Sequence, residues 1–364
     1  MRILAVAGAS GGHIFPALAF LAAAGERDAS VKTLLVLPKT TRLERRLFIG
    51  YGVRFVPYCS LRPGLHFSNL RALFVLAKGM CASLFIILEF KPAIVVGFGS
   101  LVSCLVLPWA WLFRLKTVIH EQNVSLGQAN RALAFFSDRI ALSFAQTKKL
   151  LPRYSEKIVV TGNLLRTNLV QVPKKEARDF FGFTDLAFTV LIMGGSQGSH
   201  RINAEVVQAI SMIEHVASLQ FIHVAGEADQ QWVKDAYRQL KVKHAVFSFL
   251  EQVHYAYSLA DLIICRAGAT TVAELMLFKI PAIVIPYPFA YDHQLENAKV
   301  LEQQGCAVVV TEQELRARML AKKIEDFSGK PDTISAMRKG YDVFSDQKST
   351  DRFMELIVSL AQHA

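Results

Sequence analysis

One local pattern occurs twice in this chain, and the two copies lie half a chain apart. A short apolar run leads into a glycine-rich turn that ends in a histidine, first as GASGGH at 8–13 and again as GGSQGSH at 194–200. In a chain of 364 residues, 187 positions separate His13 from His200. A strand, a glycine turn and a helix form the unit with which a parallel sheet approaches phosphate. Two copies predict two domains of this kind, which suits the length because single domains usually hold about 100–200 residues.

The other apolar runs support this organisation. They are short, rich in valine and isoleucine, and end in glycine, proline or asparagine, which is typical of strands buried on both faces. Segments with helical periodicity, such as 198–215 and 270–278, separate most of the runs and predict helical crossovers between parallel strands. The runs lie at 3–8, 33–37, 93–99, 117–123, 139–143 and 157–163, and at 189–195, 219–226, 245–250, 261–268, 281–288 and 306–310.

The sequence therefore predicts an α/β protein with two Rossmann-like, doubly wound parallel-sheet domains. The boundary should fall near TGNLLRTNL at 161–169, because a polar and charged stretch follows it. We place the N-terminal domain at 1–163 and the C-terminal domain at 164–339. The terminal segment, about 340–364, contains an amphipathic helix with no strand after it, so it can pack on either domain.

The overall charge favours anionic partners. A formal charge of +11 suits phosphorylated substrates, anionic lipid or nucleic acid. The basic residues are scattered and no nucleic-acid-binding signature occurs, so we expect no nucleic acid partner. Two apolar stretches, 79–88 and 101–113, are shorter than the ~20 residues that cross a bilayer. They are predicted to be buried helices or surfaces that lie on a membrane.

Cysteine usage and the N-terminus indicate a reducing compartment. The five cysteines are widely spaced, odd in number and form no CxxC, which disfavours disulfides and a zinc site. The chain enters a predicted strand after two residues, so we expect no signal peptide. No DxD-type acidic pair is present to hold a metal, so the sequence requires no metal. We also expect no cofactor.

The two glycine loops have a binding interpretation and a structural one. Glycines such as Gly11 and Gly12 let the backbone approach a ligand, and a helix N-terminus favours an anion. The first loop reads GxxGGH, which is neither GxGxxG nor a P-loop, so a tight turn without a ligand stays open. In the second loop Ser196 and Gln197 can donate to phosphate oxygens. Two such loops favour a bound diphosphate more than either loop alone.

Three further motifs each allow two interpretations. In RAGATTVAEL at 266–275, Thr271 and Glu274 have the spacing of a capping box, but Glu274 can instead accept the two hydroxyls of a ribose. HEQN at 120–123 ends a strand, where side chains either face a ligand crevice or close the strand. DHQLEN at 292–297 opens a helix. His13 can act as a general base at neutral pH, although a lone histidine is more often structural.

The ordered motifs resemble the MurG glycosyltransferases of glycosyltransferase family 28. GASGGHIFPALA, HEQN, GNLLR, GGSQGS, RAGATTVAEL and DHQLENA occur in the order and spacing of that family, from residue 1 to about 310. The resemblance implies a GT-B fold, in which two Rossmann-like domains face a cleft. The N-terminal domain would bind a lipid acceptor, the C-terminal domain would bind UDP-GlcNAc, and the last helix would pack back on the N-terminal domain.

The resemblance also implies an activity. GlcNAc would move from UDP-GlcNAc to the C4 hydroxyl of MurNAc in undecaprenyl-diphosphate-MurNAc-pentapeptide, which converts lipid I to lipid II with inversion. His13 matches the position of the general base. The residues that match donor-binding positions are Ser10, Gly11, Gly12, Asn123, Arg166, Ser196, Leu250, Ala269, Thr270, Thr271, Val272, Ala273, Glu274 and Gln294. The residues that match a diphosphate or acceptor loop are Gln197, Gly99, Ser100 and Glu121.

The lipid acceptor implies a place at the membrane. The segment from about 65 to 87 joins apolar side chains to Arg62, Arg71 and Lys78, which favours an anionic membrane surface. We expect a peripheral enzyme on the cytoplasmic face of the bacterial inner membrane. Cell-wall synthesis or division proteins are its expected protein partners.

Three alternatives stay open. GFGSLVS at 97–103 stands where the family usually has a GGY-containing acceptor loop, which leaves room for a GT-B transferase with another lipid acceptor, such as diacylglycerol. A UDP-GlcNAc 2-epimerase shares the two-domain fold, and a non-catalytic binding subunit would too. The retained His13, Glu274 and Gln294 argue against the last of these.

Overall fold

In this computed structural model the described residues are 1–41, 48–59, 67–184, 187–195, 197–288, 293–344 and 348–362. The chain forms two compact units: unit 1 is Met1–Thr167 with Lys348–Ala364, and unit 2 is Asn168–Gln347. The chain therefore leaves unit 1 within TGNLLRTNL, four residues beyond the predicted boundary at 163. The residues 340–347 group with unit 2, so the segment that returns to unit 1 is shorter than the predicted 340–364.

Unit 1 contains a seven-stranded sheet in the order β3-β2-β1-β4-β5-β6-β7. Every pair of neighbouring strands is parallel. The strands are β1 (Arg2–Val6), β2 (Lys32–Pro38), β3 (Gly52–Val56), β4 (Ile94–Gly97), β5 (Lys116–Glu121), β6 (Arg139–Leu142) and β7 (Ile158–Val160). The order reverses direction at β1 and β4, which makes the carboxyl ends of these two strands the expected place for a ligand.

Helices cover both faces of this sheet. Side chains of α1 (Gly11–Arg27) and α13 (Ser349–Gln362) share one buried cluster with the strands, and those of α2 (Phe67–Phe90) and α3 (Ser100–Leu112) share another. The short α4 (Gln128–Leu133) follows β5, and 3-10 turns occupy Ala145–Leu150 and Pro152–Lys157. A sheet covered on both faces explains the continuous apolar runs in its strands.

Unit 2 repeats the architecture with six parallel strands in the order β10-β9-β8-β11-β12-β13. The strands are β8 (Phe188–Met193), β9 (Leu219–Val224), β10 (Lys243–Phe247), β11 (Leu262–Cys265), β12 (Ala282–Val284) and β13 (Ala307–Val309). The helices are α5 (Lys174–Phe181), α6 (His200–Ile210), α7 (Gln230–Gln239), α8 (Val253–Leu259), α9 (Ala269–Phe278), α10 (His293–Gln303), α11 (Ala317–Ser328) and α12 (Pro331–Gly340). Short 3-10 turns lie at Val216–Ser218 and Tyr341–Phe344.

All twelve predicted strands are present, and the predicted fold class is confirmed. The structure adds β3, an edge strand whose exposed Arg54 and Phe55 break the apolar pattern that marks the other strands. The prediction for 79–88 is wrong in length. That stretch lies inside the 24-residue helix α2, in which Asn69–Phe90 is long and apolar enough to cross a membrane by length and composition. The predicted stretch began after Lys78 because only uncharged residues were counted. The helix continues through Lys78, so it is longer than that stretch.

The terminal helix α13 packs on unit 1 around a buried histidine. His120, at 0% exposure, lies edge-on to the Phe353 ring, with 5.5 Å between the ring centroids. Its Nε2 donates to the Gly162 carbonyl oxygen at 3.1 Å, and its Nδ1 accepts from the Gln122 amide at 3.2 Å. A Cβ at position 162 would approach Ser349 Oγ to 2.6 Å, so glycine is required for this close contact.

These contacts predict a loss of stability in mild acid. Burial lowers the pKa of His120 to about 4, and burial also lowers the pKa of His223 in unit 2 to about 3. Both pKa values lie below the ordinary value of about 6.5, so the unfolded chain binds protons more readily. The free energy of unfolding should therefore fall as the pH drops from about 6.5 toward 4.

Urea unfolding at pH 7.5 and pH 5.0 measures this effect. His120→Gln should lose less stability on acidification than the unsubstituted chain, because the variant has no imidazole to protonate there. His215→Gln, at an exposed histidine of unit 2, is the matched control and should keep the full pH dependence. An equal loss of stability in all three proteins would contradict the prediction.

Candidate active site

The first glycine loop joins β1 to α1 and leaves no room for a side chain at Gly8. A Cβ at Gly8 would lie 2.6 Å from Ser100 Cβ and 2.8 Å from His13 Nδ1. Helix α1 begins at Gly11 with Ser10 as its N-cap. The loop therefore brings the first turn of α1, which carries His13, against the loop that follows β4.

His13 is half-buried between two loops at the carboxyl end of the sheet. Ser10 Oγ lies 3.0 Å from its Nδ1. A Cβ at Gly99 would lie 3.2 Å from its Nε2, so the ring rests against the backbone of the β4–α3 loop. Gly99 has a φ of 81° and Ser100 a φ of 69°. A positive φ at a serine is uncommon, and such conformations concentrate at functional sites.

The carboxylate of Glu121 holds the loop after β5. Its Oε1 accepts from the backbone N–H and the side-chain amide of Asn123, at 3.1 and 3.2 Å. Its Oε2 accepts from the Gly127 N–H at 3.0 Å and from the Asn130 amide at 2.9 Å. With four donors and 2% exposure, this side chain shapes the loop that presents Asn123. All four of these hydrogen bonds come from the loop itself and the start of α4, so they do not support the predicted contact between Glu121 and an acceptor.

Arg166 belongs to the same region of unit 1. Its guanidinium lies 5.3 Å from the centroid of the Phe15 ring, two residues after His13 on α1. A cation–π contact of this kind holds an arginine beside a helix start without using its hydrogen-bond donors. The structure thus places Ser10, His13, Gly99, Ser100 and Arg166 around the beginning of α1.

The second glycine loop joins β8 to α6 and interlocks with the loop after β9. A Cβ at Gly198, where φ is 76°, would overlap the carbonyl oxygen of Ala225. Gln197 is exposed, whereas Ser196 lies outside the described residues. His200 begins α6, and its Nδ1 lies 3.0 and 3.1 Å from the carboxylate oxygens of Asp229. The two loop histidines therefore have different partners, a hydroxyl in unit 1 and a carboxylate in unit 2.

The capping-box interpretation of Glu274 is wrong. Helix α9 begins at Ala269 after the N-cap Gly268, so Thr271 already lies inside the first turn. Glu274 is 7% exposed, and its Oε2 accepts from the Tyr257 hydroxyl at 2.7 Å. Tyr257 comes from α8, and no local pattern predicts this contact because 17 residues separate Tyr257 from Glu274.

The other predicted donor residues of unit 2 follow the carboxyl ends of its strands β10, β11 and β12. Gln294 Oε1 accepts from the backbone N–H of Ala267 at 3.2 Å and of Tyr287 at 3.0 Å, which turns its NH₂ group away from both loops. Leu250 follows β10 at 7% exposure. The first turn of α9 contains Ala269, Thr270 and Thr271, whereas Val272 is fully buried in the helix interior and Ala273 is half-buried.

One feature of the site was not predicted. Arg266, at 8% exposure, bonds to three loops of unit 2, and one of its partners is Ser199 at the end of the glycine loop. An arginine two residues before the N-cap glycine of α9 is the only sequence signal for this role. Among the described residues no group of three or more His, Cys, Asp or Glu side chains could hold a metal ion.

Comparison with known proteins identifies the family of this arrangement. Residues 3–142 match the glycosyltransferase family 28 N-terminal domain, and residues 189–353 match the glycosyltransferase family 28 C-terminal domain. A relative from Thermodesulfovibrio yellowstonii is 33% identical over 99% of both chains. Its name is UDP-N-acetylglucosamine–N-acetylmuramyl-(pentapeptide) pyrophosphoryl-undecaprenol N-acetylglucosamine transferase.

Solved structures agree with this assignment. The crystal structure of Acinetobacter baumannii MurG is 25% identical, with a TM-score of 0.75 over 98% of this chain and 99% of that one. A UDP-GlcNAc 2-epimerase from Neisseria meningitidis, bound to UDP-GlcNAc, has a TM-score of 0.70 at 13% identity over 99% of this chain and 100% of that one, which shows the shared fold alone. The chain is a UDP-GlcNAc-dependent glycosyltransferase with the GT-B fold, and it belongs to the MurG family within glycosyltransferase family 28.

Proposed function

We propose that this chain transfers GlcNAc from UDP-GlcNAc to the C4 hydroxyl of MurNAc in undecaprenyl-diphosphate-MurNAc-pentapeptide. The product is lipid II, the disaccharide precursor of peptidoglycan. The observation that carries the proposal is the match over 99% of both chains to a relative named for this reaction. The motif residues at the carboxyl ends of the strands in each unit supply the chemistry it needs.

Unit 2 supplies the groups for the nucleotide sugar. The Glu274 carboxylate accepts hydrogen bonds from the ribose hydroxyls, and a hydrogen bond from the Tyr257 hydroxyl holds that carboxylate in place. The backbone N–H groups at the start of α9 and the Ser196 hydroxyl bind the diphosphate, because a helix N-terminus favours anions. The Leu250 backbone pairs with the uracil edge. The NH₂ group of Gln294 donates to the GlcNAc hydroxyls, since its carbonyl oxygen already accepts from the backbone N–H groups of two loops.

Unit 1 supplies the base for the reacting hydroxyl. When Nδ1–H of His13 donates to Ser10 Oγ, the lone pair of the neutral ring lies on Nε2. Nε2 takes the proton of the acceptor O4 while that oxygen bonds to the anomeric carbon of GlcNAc. The bond from the anomeric carbon to the UDP oxygen breaks, and UDP leaves with the electron pair. One direct displacement converts the α-linked donor to a β-linked product.

The departing UDP gains negative charge, which must be stabilised. The N-terminus of α9 and the Arg166 guanidinium are the groups assigned to this charge. Fixed donors and charges of this kind usually supply the largest share of catalysis. No step of this reaction requires a metal.

The distribution of charge supports a membrane-bound acceptor. Unit 1 holds 23 Lys and Arg residues against 9 Asp and Glu residues, a net charge of +14, whereas unit 2 holds 18 against 21, a net charge of −3. An excess of positive charge on one unit attracts it to anionic lipid. We place the enzyme on the cytoplasmic face of the bacterial inner membrane, and unit 1 is its membrane-binding unit.

Helix α2 offers an apolar surface for this contact. One of its faces packs on unit 1: the Trp109 indole N–H donates to the Met80 carbonyl oxygen at 3.0 Å, and a Cβ at Gly79 would overlap the Pro57 carbonyl oxygen. The opposite face exposes large apolar side chains, namely Leu70, Leu73, Phe74, Phe85 and Leu88. A helix with one face fixed to the protein and the other apolar favours lying on a membrane over crossing it.

A vesicle-binding experiment tests this surface. Phe74→Ser with Phe85→Ser should weaken binding to vesicles that contain anionic lipid by more than about tenfold, because each buried phenylalanine contributes about 1.5–3 kcal/mol. Binding by the unsubstituted chain should also decrease with added salt, since salt screens the attraction between unit 1 and the lipid. Met212→Ser removes an exposed apolar side chain from unit 2 and should change nothing. Equal binding by all three proteins would contradict the assignment.

The reaction itself is tested by UDP release. UDP should appear from UDP-GlcNAc only when a short-chain lipid I analogue is present, and the product should contain a β-1,4-linked disaccharide. If diacylglycerol supports turnover and the analogue does not, the donor assignment holds and the acceptor assignment is wrong. If UDP-ManNAc forms without an acceptor, the chain is an epimerase.

A further inference from the structure

Arg266 connects the loops that carry the predicted donor residues of unit 2. It follows β11, and its guanidinium is almost fully buried. Nη2 donates to Ser199 Oγ at 2.9 Å, and Nη1 donates to the carbonyl oxygens of Ile285 and Pro286 at 3.2 and 3.3 Å. Ser199 is the N-cap of α6 at the end of the glycine loop, whereas Ile285 and Pro286 follow β12. One side chain thus joins two loops that belong to different strands.

The loops that Arg266 joins lie next to two predicted substrate contacts. The glycine loop before Ser199 carries Ser196 and Gln197, which are assigned to the diphosphate. The residue after Arg266 donates its backbone N–H to Gln294 Oε1, and so does Tyr287, whose ring lies 5.4 Å from the Arg266 guanidinium. A displacement of Arg266 therefore reaches both the diphosphate loop and the residue assigned to GlcNAc.

The guanidinium needs a negative partner, and Glu312 provides it. Its carboxylate forms an ion pair with Arg266 Nη1, at side-chain exposures of 9% for the arginine and 24% for the glutamate. Glu312 comes from the loop between β13 and α11, and no predicted substrate contact lies in that loop. A buried charge that loses its partner is strongly unfavourable. Without Glu312 the guanidinium would turn toward water or draw in another anion, and its bonds to the two loops would weaken.

We propose that Glu312 is a positioning residue for the nucleotide sugar, acting through Arg266. It holds the guanidinium in the one place where it binds both Ser199 and the carbonyl oxygens after β12. This inference rests on the proposed function, because it takes the two loops to be the donor site. It assigns a role in donor binding to a carboxylate that itself touches no substrate.

The sign of the effect separates this role from simple electrostatics. Glu312→Gln removes a negative charge near a site for an anion, so charge alone predicts tighter binding of UDP. The positioning role predicts weaker binding, by about tenfold, because a charge-assisted bond is replaced by a neutral one. Glu312→Asp keeps the charge and should recover part of the affinity.

Calorimetric titration of the full chain with UDP measures this difference. Glu314→Gln is the matched control: Glu314 lies two residues away and accepts from the Thr311 N–H and hydroxyl at 3.1 and 2.7 Å. It should leave the affinity for UDP unchanged. The decisive measurement is a double-mutant cycle with Ser199→Ala, which removes the contact between Arg266 and the glycine loop. In that background Glu312→Gln should weaken UDP binding by less than about threefold, since coupled residues are not additive.

Three results would overturn the proposal. Tighter or unchanged UDP binding by Glu312→Gln would do so, as would full additivity with Ser199→Ala. A lowered melting temperature with normal UDP affinity would make Glu312 a purely structural residue. Failure of the unsubstituted chain to bind UDP would instead refute the donor assignment, and the role of Glu312 would fall with it.

Discussion

Replacing His13 by alanine is expected to lower kcat for GlcNAc transfer by about 10²- to 10⁴-fold, the usual contribution of a general base. The affinity for UDP should stay the same, because His13 is assigned to the acceptor hydroxyl and to no group of the nucleotide. The expectation depends on geometry: His13 sits in the first turn of α1, and Ser10 Oγ lies 3.0 Å from its Nδ1. That hydrogen bond orients the ring, and in the proposed reaction Nε2 takes the proton.

His200→Ala is the matched control, since His200 follows the equivalent glycine loop in unit 2. Its Nδ1 contacts the Asp229 carboxylate, and we assign it no proton transfer. The kcat of His200→Ala should change by less than about threefold, because no interaction with the reacting groups is assigned to His200. The kcat of Ser10→Ala should lie between those of His13→Ala and His200→Ala, because this substitution removes the hydroxyl that orients the His13 ring. The measurement is initial UDP release at saturating donor and acceptor. Near-full turnover by His13→Ala would rule out the general-base role.

Short-range patterns predicted most of the fold. The twelve predicted strands are continuous apolar runs, and most of them are buried within their sheets, where composition alone is informative. The edge strand β3 was missed because an edge has solvent beside it and admits residues such as Arg54. The extent of α2 was missed because a lysine on its exposed face does not end a helix.

The site was predicted less completely because its contacts cross the sheet. Glu121 and Glu274 were both recognised as motif residues, but the motifs did not show which groups bind them. Glu121 serves its own loop, and Glu274 is held by a tyrosine of α8. Arg266 and Glu312 are 46 residues apart, and only the parallel order of the strands brings them together. Local spacing carries no information about pairs of this kind.

Glu274→Gln should weaken UDP binding by about 100-fold, because two charge-assisted hydrogen bonds to the ribose contribute about 1.5 kcal/mol each. The carboxylate is 7% exposed, and the Tyr257 hydroxyl donates to its Oε2 at 2.7 Å, so its position is set before the nucleotide arrives. A glutamine in the same place keeps one acceptor and presents an NH₂ group to a hydroxyl or to Tyr257. Tyr257→Phe should weaken UDP binding by less than about tenfold, since it removes only the hydrogen bond that orients the carboxylate.

A ligand that lacks one hydroxyl distinguishes the ribose contact from a general loss of structure. The unsubstituted chain should bind 2′-deoxy-UDP about tenfold more weakly than UDP, as expected when a site built to bind a hydroxyl is left unpaired. Glu274→Gln should bind the two nucleotides almost equally, because the group that recognises the hydroxyl has been changed. Calorimetric titration of both proteins with both nucleotides gives the four affinities. If the variant discriminates between UDP and 2′-deoxy-UDP as strongly as the unsubstituted chain, Glu274 does not bind the ribose, and its contact with Tyr257 serves the packing of α8 on α9 instead.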